Sequence, residues 1–350
     1  MLNKIEKNNY EKLVDNINKE KEYNKESLNK IEKENENTDK NKIQFRKYNL
    51  ENINSIQSHQ NAINSVSIFP SENIISVSKD KSIIIYDIYL NILQKIQNAH
   101  NDWINYVEVI DENNFITCSS DLSIKLWIKN NNEFINNKTI NYAHENGILK
   151  VIYCSNGNII SCSLDNTIKI WKKNNNNDYE NFIILSHSNY VWSILFLEDK
   201  NILISSGLDG TQLWYLNKYE INYNNINCIQ YLDNIYCYSN NGLCRLNKDR
   251  IIIGGDKILK VISILNKNII KEINISFKCS GIILIENKEI FLIGGKSNDI
   301  MIFRNDNYDC IQIIQNAHDN SICGFVELKD ESLISYSLDK KIKKWKFIEN

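Results

Sequence analysis

The stretch "SSDLSIKLW", Ser119–Trp127, decides the fold because near copies of it recur along the chain. The copies are "SVSKDKSIIIY" at 76–86, "SCSLDNTIKIW" at 161–171 and "SYSLDKKIKKW" at 335–345. Each copy places an Asp after small polar residues and before an apolar alternation that ends in an aromatic residue. A catalytic carboxylate is needed only once, so an Asp that returns in register indicates a structural repeat.

The five histidines of the chain give the period of this repeat. His59, His100, His144 and His187 follow one another at intervals of 41, 44 and 43 residues, and His318 comes 131 residues later, close to three further periods. An Asp lies 21 residues after each His, or 22 in the fourth repeat: Asp80, Asp121, Asp165, Asp209 and Asp339. An aromatic residue follows the Asp at six residues, or five in the fourth repeat: Tyr86, Trp127, Trp171, Trp214 and Trp345.

Within one repeat the pattern predicts four short β-strands. Ile104–Ile110, Asn114–Ser120 and Ser123–Ile128 are runs rich in β-branched residues and separated by turn residues. A fourth run, Glu133–Ile140, precedes His144. Four short strands in every 40 to 45 residues are typical of one blade of a β-propeller.

The repeats resemble WD40 repeats in their strand order and in their His, Ser-x-Asp and Trp spacing. The chain departs from the family pattern in two ways. The residue before the His is Ser or Ala where the family has Gly, and the family's Trp-Asp dipeptide is present only as Tyr86-Asp87. The resemblance implies an all-β, seven-bladed propeller over residues 43–350. Arg250–Ile264 and Glu289–Phe303 are then two degenerate blades without a His, and Ile43–Gln57 supplies the outer strand of the last blade.

The resemblance also implies a structural role for the recurring polar residues. In WD40 proteins a Ser of the second strand, the turn Asp, the His and the Trp form one hydrogen-bonded set, which favours a structural network over a hydrolase triad. The network is expected to be incomplete in the fourth repeat, where Gly207 takes the place of Ser. The matching residues are His59, Ser78 and Asp80 with Tyr86; His100, Ser119, Asp121 and Trp127; His144, Ser163, Asp165 and Trp171; His187, Asp209 and Trp214; His318, Ser337, Asp339 and Trp345.

Residues 1–42 differ from the rest of the chain. They carry ten Lys and ten acidic residues and have no strand pattern. Pairs such as Asp15 with Lys19 have helical spacing, but the apolar positions fall short of sustained heptads. The segment is expected to be a charged extension, either disordered or a helix that docks on a partner.

Composition argues against several classes of function. The formal net charge of −2 does not indicate a protein that binds nucleic acid through its overall charge. The nine cysteines are singletons without zinc-ligand spacing, so no metal or cofactor is predicted, and free thiols favour the cytoplasm or the nucleus. No run approaches the length of a membrane span.

Partners of WD40 proteins often dock on the top of the propeller, where the loops before the first strands meet the turns between the second and third strands. Trp103, Tyr190 and Trp192 are aromatic residues that the repeat does not explain, and such residues are favoured at binding hot spots. The full predicted top face consists of Asn64, Lys79, Trp103, Asn105, Leu164, Tyr190, Trp192, Leu208 and Leu338.

The predicted function is a non-catalytic scaffold that binds protein partners on this face, as a monomeric propeller within a multiprotein complex. Two alternatives are a G-protein β-like subunit, which the extension and seven blades resemble, and a substrate receptor of a ubiquitin ligase, although the chain has no "WDxR" box. An enzyme or small-molecule binder that uses the central channel is a third alternative.

Overall fold

The computed structural model describes residues 48–216, 228–232 and 236–349. The predicted extension at 1–42, residues 43–47 of the predicted N-terminal strand, and residues 217–227 and 233–235 lie outside this part of the chain. What is described is an all-β propeller, with one short 3-10 helix at Glu286–Lys288.

Four consecutive sheets, each with four antiparallel strands, make up the first part of the propeller. The strands agree with the predicted four per repeat, and those around Trp127 lie within two residues of the predicted bounds. The first sheet contains β2 (Ile63–Ile68), β3 (Ile74–Ser78), β4 (Ile83–Tyr86) and β5 (Ile92–Ile96). The second contains β6 (Ile104–Asp111), β7 (Asn114–Ser119), β8 (Ile124–Asn130) and β9 (Glu133–Ile140). The third contains β10 (Ile148–Tyr153), β11 (Ile159–Ser163), β12 (Thr167–Lys173) and β13 (Tyr179–Ser186). The fourth contains β14 (Val191–Leu197), β15 (Ile202–Gly207), β16 (Gly210–Tyr215) and β17 (Cys228–Leu232).

The last sheet joins the two ends of the described chain. Its strands β25 (Ile322–Glu327), β26 (Leu333–Ser337) and β27 (Lys341–Glu349) are followed by β1 (Tyr48–Gln57) as the outer strand, in the order β1-β27-β26-β25. An outer strand taken from the N-terminal side covers an edge of β27 that would otherwise be open to pairing with another chain.

The remaining strands form one seven-stranded sheet, called the long sheet here. It contains β18 (Leu243–Arg245), β19 (Arg250–Gly254), β20 (Asp256–Ser263), β21 (Asn268–Ile285), β22 (Ile290–Gly295), β23 (Ile300–Arg304) and β24 (Cys310–Ile314). The first half of β21 pairs with β20 and its second half pairs with β22. Five four-stranded sheets are therefore observed, and the count of seven separate blades stays a prediction.

The hydrophobic core lies between sheets. The second strands β3, β7 and β11 are buried along nearly their whole length, because each is covered on both faces. One cluster joins Val77 of the first sheet to Val107 and Phe115 of the second, and another joins Ile63 of the first sheet to Ile334 of the last. Contact between the first and last sheets closes the ring.

Candidate protein-interaction surface

The recurring His and Asp form a direct contact in five repeats. The Nδ1 atom of each His lies 2.7–3.0 Å from a carboxylate oxygen of the turn Asp, and every one of these imidazoles is buried. The backbone N–H of the residue after the His donates a second hydrogen bond to the same carboxylate, for example from Asn101 to Asp121 at 2.8 Å. The Asp therefore fixes the loop that carries the His.

The hydroxyl that joins the His to the Trp is not the predicted Ser119. His100 Nε2 lies 2.8 Å from Thr117 Oγ1, and the indole N–H of Trp127 donates to the same oxygen at 2.9 Å. The equivalent hydroxyls in the five repeats are Ser76, Thr117, Ser161, Ser205 and Ser335. The prediction was wrong by two residues, which is one step along the same face of a strand.

The predicted serines instead stabilise the turn that contains the Asp. Ser119 Oγ accepts the N–H of Asp121 at 3.0 Å and donates to the carbonyl of Asp102 at 3.3 Å. The corresponding serines of the other repeats, Ser78, Ser163 and Ser337, make the same pair of bonds. A spacing signal for the true partner was present, since each joining hydroxyl lies 17 residues after its His, or 18 in the fourth repeat.

The fourth repeat also corrects a prediction. Its network is complete, because His187 contacts both Asp209 and Ser205 at 2.7 Å and Trp214 donates to Ser205 at 2.8 Å. Gly207 replaces only the turn serine. A Cβ at Gly207 would lie 2.2 Å from the carbonyl oxygen of Tyr190, so the shortened turn has no room for a side chain.

The donors in this network determine its protonation state. The ionised Asp121 carboxylate can only accept, so the imidazole proton lies on His100 Nδ1. The Thr117 hydroxyl then donates a hydrogen bond to Nε2 and accepts one from the Trp127 N–H. Burial lowers the pKa of His100 despite the hydrogen bond to Asp121, so the imidazole is neutral. Burial raises the pKa of Asp339, but the hydrogen bond from His318 and those from the backbone N–H groups of Asp319 and Lys341 outweigh burial and hold this pKa at about 2. Every donor and acceptor is occupied, which is the state of a structural network and not of a reactive triad.

A second recurring hydrogen bond connects the two kinds of loop at the top of the propeller. The N–H of the residue before the turn Asp donates to the carbonyl of the third residue after the His, as from Ser120 to Trp103 at 2.9 Å. The same bond links Lys79 to Ala62, Leu164 to Gly147, Leu208 to Tyr190 and Leu338 to Ser321. These residue pairs therefore lie at equivalent positions at one end of the sheets, and we call them the top surface.

Trp103 and Tyr190 are the exposed aromatic residues of the top surface. Trp103 is 46% exposed and Tyr190 is 41% exposed, although both sit on tightly bonded loops. The Nζ atom of Lys79 lies 4.4 Å from the centre of the Trp103 ring. An aromatic side chain held rigidly in solvent loses little conformational entropy when a partner covers it.

Trp192 and the three leucines are only partly exposed. Trp192 and Leu164 pack against the cluster between the third and fourth sheets, and Leu208 and Leu338 are of intermediate exposure. The indole Nε1 of Trp192 is buried and has no hydrogen-bond partner in the described structure. Part of the Trp192 ring therefore belongs to the core.

Asn64 and Asn105 were predicted to face a partner, but their amides bridge neighbouring sheets. Asn64 Nδ2 donates to the carbonyl of Ile104 at 2.8 Å, and Asn105 Nδ2 donates to that of Ile148 at 2.8 Å. Asn105 is only 7% exposed, so it is not part of the open surface. The side chains point toward the next inner strand because that strand leaves a carbonyl without a ladder partner.

The segment before β18 extends this bridging across the ring. Asn240 Nδ2 donates to the carbonyl of Asn105 at 2.8 Å, and the Asn240 carbonyl accepts from Ser193 at 2.8 Å. Asn241 Nδ2 donates to the carbonyl of Cys323 at 3.2 Å. Two consecutive residues thus contact the second, fourth and last sheets, which no sequence spacing indicated.

The sequence also missed two residues of the top surface in the part without histidines. Lys296 donates its N–H to the carbonyl of Lys278 at 3.1 Å, so Lys278 occupies the position that Trp103 has in the second sheet. The Nζ atom of Lys278 lies 4.2 Å from the centre of the Tyr238 ring. Lys278 lies three residues before Gly281, as Trp103 lies three before Tyr106, and this spacing could have identified it.

Within residues 48–216, 228–232 and 236–349, no cluster of three His, Cys, Asp or Glu side chains has the arrangement of a metal site. Nor does this part of the chain contain a helix of the length and hydrophobicity that crossing a membrane requires.

Comparison with known proteins agrees with this architecture. The family model described as "WD domain, G-beta repeat" matches residues 50–87, 91–127, 136–172 and 180–211. The chain is 32% identical over 91 residues to the Nuclear distribution protein PAC1 of Candida dubliniensis, covering 24% of this chain and 18% of that protein. It is 38% identical over 79 residues to Lissencephaly-1 homolog 1 of Paramecium tetraurelia, covering 22% and 19% of the two chains. The matched region thus spans less than a fifth of either relative.

The four matched repeats and the propeller arrangement of the sheets support a WD40-repeat β-propeller family for this chain. Propellers of this kind are typically non-catalytic platforms for protein interaction, and the fold by itself names no partner.

Proposed function

We propose that this protein is a scaffold that binds a protein partner through its top surface, with Trp103 and Tyr190 as anchors. The observation that carries the proposal is the exposure of these two rings, 46% and 41%, on loops fixed by repeated hydrogen bonds. Leu208, Leu338 and the exposed part of Trp192 add apolar area beside them. Exposed apolar patches on soluble proteins usually mark interaction sites.

We also infer that the propeller has seven blades, with β21 serving as the outer strand of one blade and the inner strand of the next. The register supports this count. Ile262 pairs with Ile251 and Phe303 with Phe291, as Trp127 pairs with Phe115 in the second sheet. Each half of the long sheet then supplies four strands.

The remaining proposals concern the oligomeric state and the cellular compartment of the protein. We infer a monomeric propeller that acts in the cytoplasm or nucleus as part of a multiprotein complex, with residues 1–42 as a separate charged extension. The eight cysteines whose side chains are described are free thiols, which supports a reducing compartment. The relatives support an interaction role, but the matched repeats are too short a part of them to transfer a partner.

Affinity purification followed by mass spectrometry tests the top surface. The full chain is compared with a Trp103→Ala/Tyr190→Ala variant. We expect specific partners to be reduced at least about tenfold, which corresponds to roughly 1.4 kcal/mol, because hot-spot aromatic residues commonly contribute more than this. Melting should stay almost unchanged, since both rings are exposed.

A matched control uses Tyr89, which is 69% exposed but lies in the turn between β4 and β5, at the opposite end of the sheets. Tyr89→Ala should retain all partners. Retention of the same partners by the Trp103→Ala/Tyr190→Ala variant would show that the top surface is not the docking site.

A further inference from the structure

Two lysines of the top surface are held over aromatic rings. Lys79 lies over Trp103 and Lys278 lies over Tyr238, with Nζ to ring-centre distances of 4.4 and 4.2 Å. Neither lysine forms an ion pair with any carboxylate of the described chain. Among the described residues, the aromatic face is the one specific contact of either ammonium group.

Other lysines near the same end of the sheets are already engaged. Lys125, Lys169 and Lys343 each donate to the backbone carbonyl of the alanine before a His, at 2.6–2.9 Å. Lys341 pairs with Asp319 at 2.5 Å. These four ammonium groups therefore take part in contacts within the propeller, whereas no carboxylate of the described residues pairs with Lys79 or Lys278.

The acidic groups near the two lysines form no ion pair with them in the described part of the chain. Asp102, beside Trp103, accepts the N–H of Trp103 at 2.8 Å. Asp256 is opposite Lys278 in the β20–β21 register, but their side chains form no ion pair in the described structure. The turn Asp residues are occupied by their histidines.

A cation over a solvent-accessible ring is stabilised only weakly. A carboxylate that reaches the same ammonium inside a partly desolvated interface contributes more, because the local dielectric constant falls when water is excluded. The ring keeps each ammonium in place until a partner arrives. The arrangement therefore favours an anionic partner over a neutral or cationic one.

We propose that the partner segment is a peptide with an apolar anchor and carboxylates on both sides of it, which Lys79 and Lys278 bind beside Trp103 and Tyr238. This inference rests on the proposed function, because it names the chemistry of the partner at the same surface. It requires no other change in the propeller.

Fluorescence anisotropy of the full chain with three labelled 12-residue peptides tests the proposal. All three share a central Leu-Phe-Leu-Leu-Phe-Leu segment and differ in flanks of three Glu, three Gln or three Lys on each side. We expect the Glu-flanked peptide to bind about tenfold tighter than the Lys-flanked one at 0.1 M salt. The advantage should shrink at 1 M salt, where the screening length falls from about 10 Å to about 3 Å.

Charge reversal identifies the lysines responsible. A Lys79→Glu/Lys278→Glu variant should reverse the preference in favour of the Lys-flanked peptide. The matched control is Lys172→Glu/Lys173→Glu, because these lysines also lie over aromatic rings, Phe182 and Tyr179, but belong to the opposite end of β12. The control has the same change in net charge and should keep the preference for Glu.

Several outcomes would overturn the proposal. Equal binding of the three peptides, or no binding of any, would show that flanking carboxylates are not recognised, and the co-purification experiment would still decide the proposed function separately. Self-association of the chain that depends on Lys79 and Lys278, without discrimination among the peptides, would assign these lysines to contact with a second copy.

Discussion

In the second sheet Phe115 stacks on Trp127 with ring centres 5.6 Å apart, and in the long sheet Phe291 stacks on Phe303 at 5.1 Å. The two pairs occupy the same place in the strand register. The apolar part of the repeat is therefore shared between these regions. They differ in the polar residues around the stack.

The second sheet has Thr117 ten residues before its Trp, whereas the long sheet has Ile293 ten residues before Phe303 and Ile252 ten before Ile262. Both isoleucines are fully buried. No His occurs between His187 and His318, and the side chains of Phe303 and Ile262 have no N–H to donate. Leaving one partner of a buried hydrogen bond unpaired is costly, but replacing all partners by apolar groups can be nearly neutral. The network is present or absent as a unit for this reason.

Acid should produce the largest difference between the two regions. The pKa is lowered for His100, His144, His187 and His318 and for the five turn Asp residues. The unfolded chain therefore takes up protons at a higher pH than the folded chain, so stability is lost as pH falls, first below about 6.5 and then below about 4. We expect a total loss on the order of 5 kcal/mol between pH 7.5 and 3, measured as the free energy of unfolding in urea.

A Phe291→Leu variant in the long sheet should be less stable at every pH but should keep this pH dependence, because it leaves the networks intact. An Asp121→Asn variant should show a shallower dependence. Identical pH profiles for Asp121→Asn and the wild type would contradict the assignment of acid sensitivity to the networks.

His100→Ala should lower the free energy of unfolding by about 3 kcal/mol, because it leaves Asp121 and Thr117 without their buried partner. Converting the whole set, with His100→Ile, Thr117→Ile, Asp121→Ser and Trp127→Phe, should recover part of this loss, since Ile275, Ile293, Ser297 and Phe303 stand at these positions in the long sheet. Urea denaturation measures both variants. If the quadruple variant loses the sum of the single effects, the comparison between the two regions fails.

Thr117→Val should cost about 2 kcal/mol, because the shape is kept while the Trp127 N–H and His100 Nε2 both lose their partner. Ser119→Ala should cost about 1 kcal/mol, since only the turn contacts are lost. Near-ultraviolet circular dichroism should report a changed Trp127 environment in Thr117→Val and not in Ser119→Ala. The reverse order of stability would restore Ser119 as the joining hydroxyl.

The spacing of His, Asp and aromatic residues was sufficient to predict the repeat, the strands of the networked blades and the outer strand from the N-terminal side. It also predicted the strands of the two His-free stretches, since β19 and β20 lie within Arg250–Ile264 and β22 and β23 lie at Glu289–Phe303, within one residue of the predicted bounds. It did not predict that β21 would run without interruption through both units, because the strand pattern of 268–285 does not indicate where pairing changes from β20 to β22.

Sequence alone determined which residues recur, and recurrence separated Asp121 from any catalytic role. It could not decide which hydroxyl meets the histidine, because Thr117 and Ser119 lie on the same face of one strand and only the position of the Trp127 indole distinguishes them. It also could not separate Trp103, which is exposed, from Trp192, which is half-buried, or from Asn105, which bridges two sheets. Exposure and hydrogen bonding at the top of a ring depend on the neighbouring blades, which are remote in sequence, so these choices were made only by the tertiary structure.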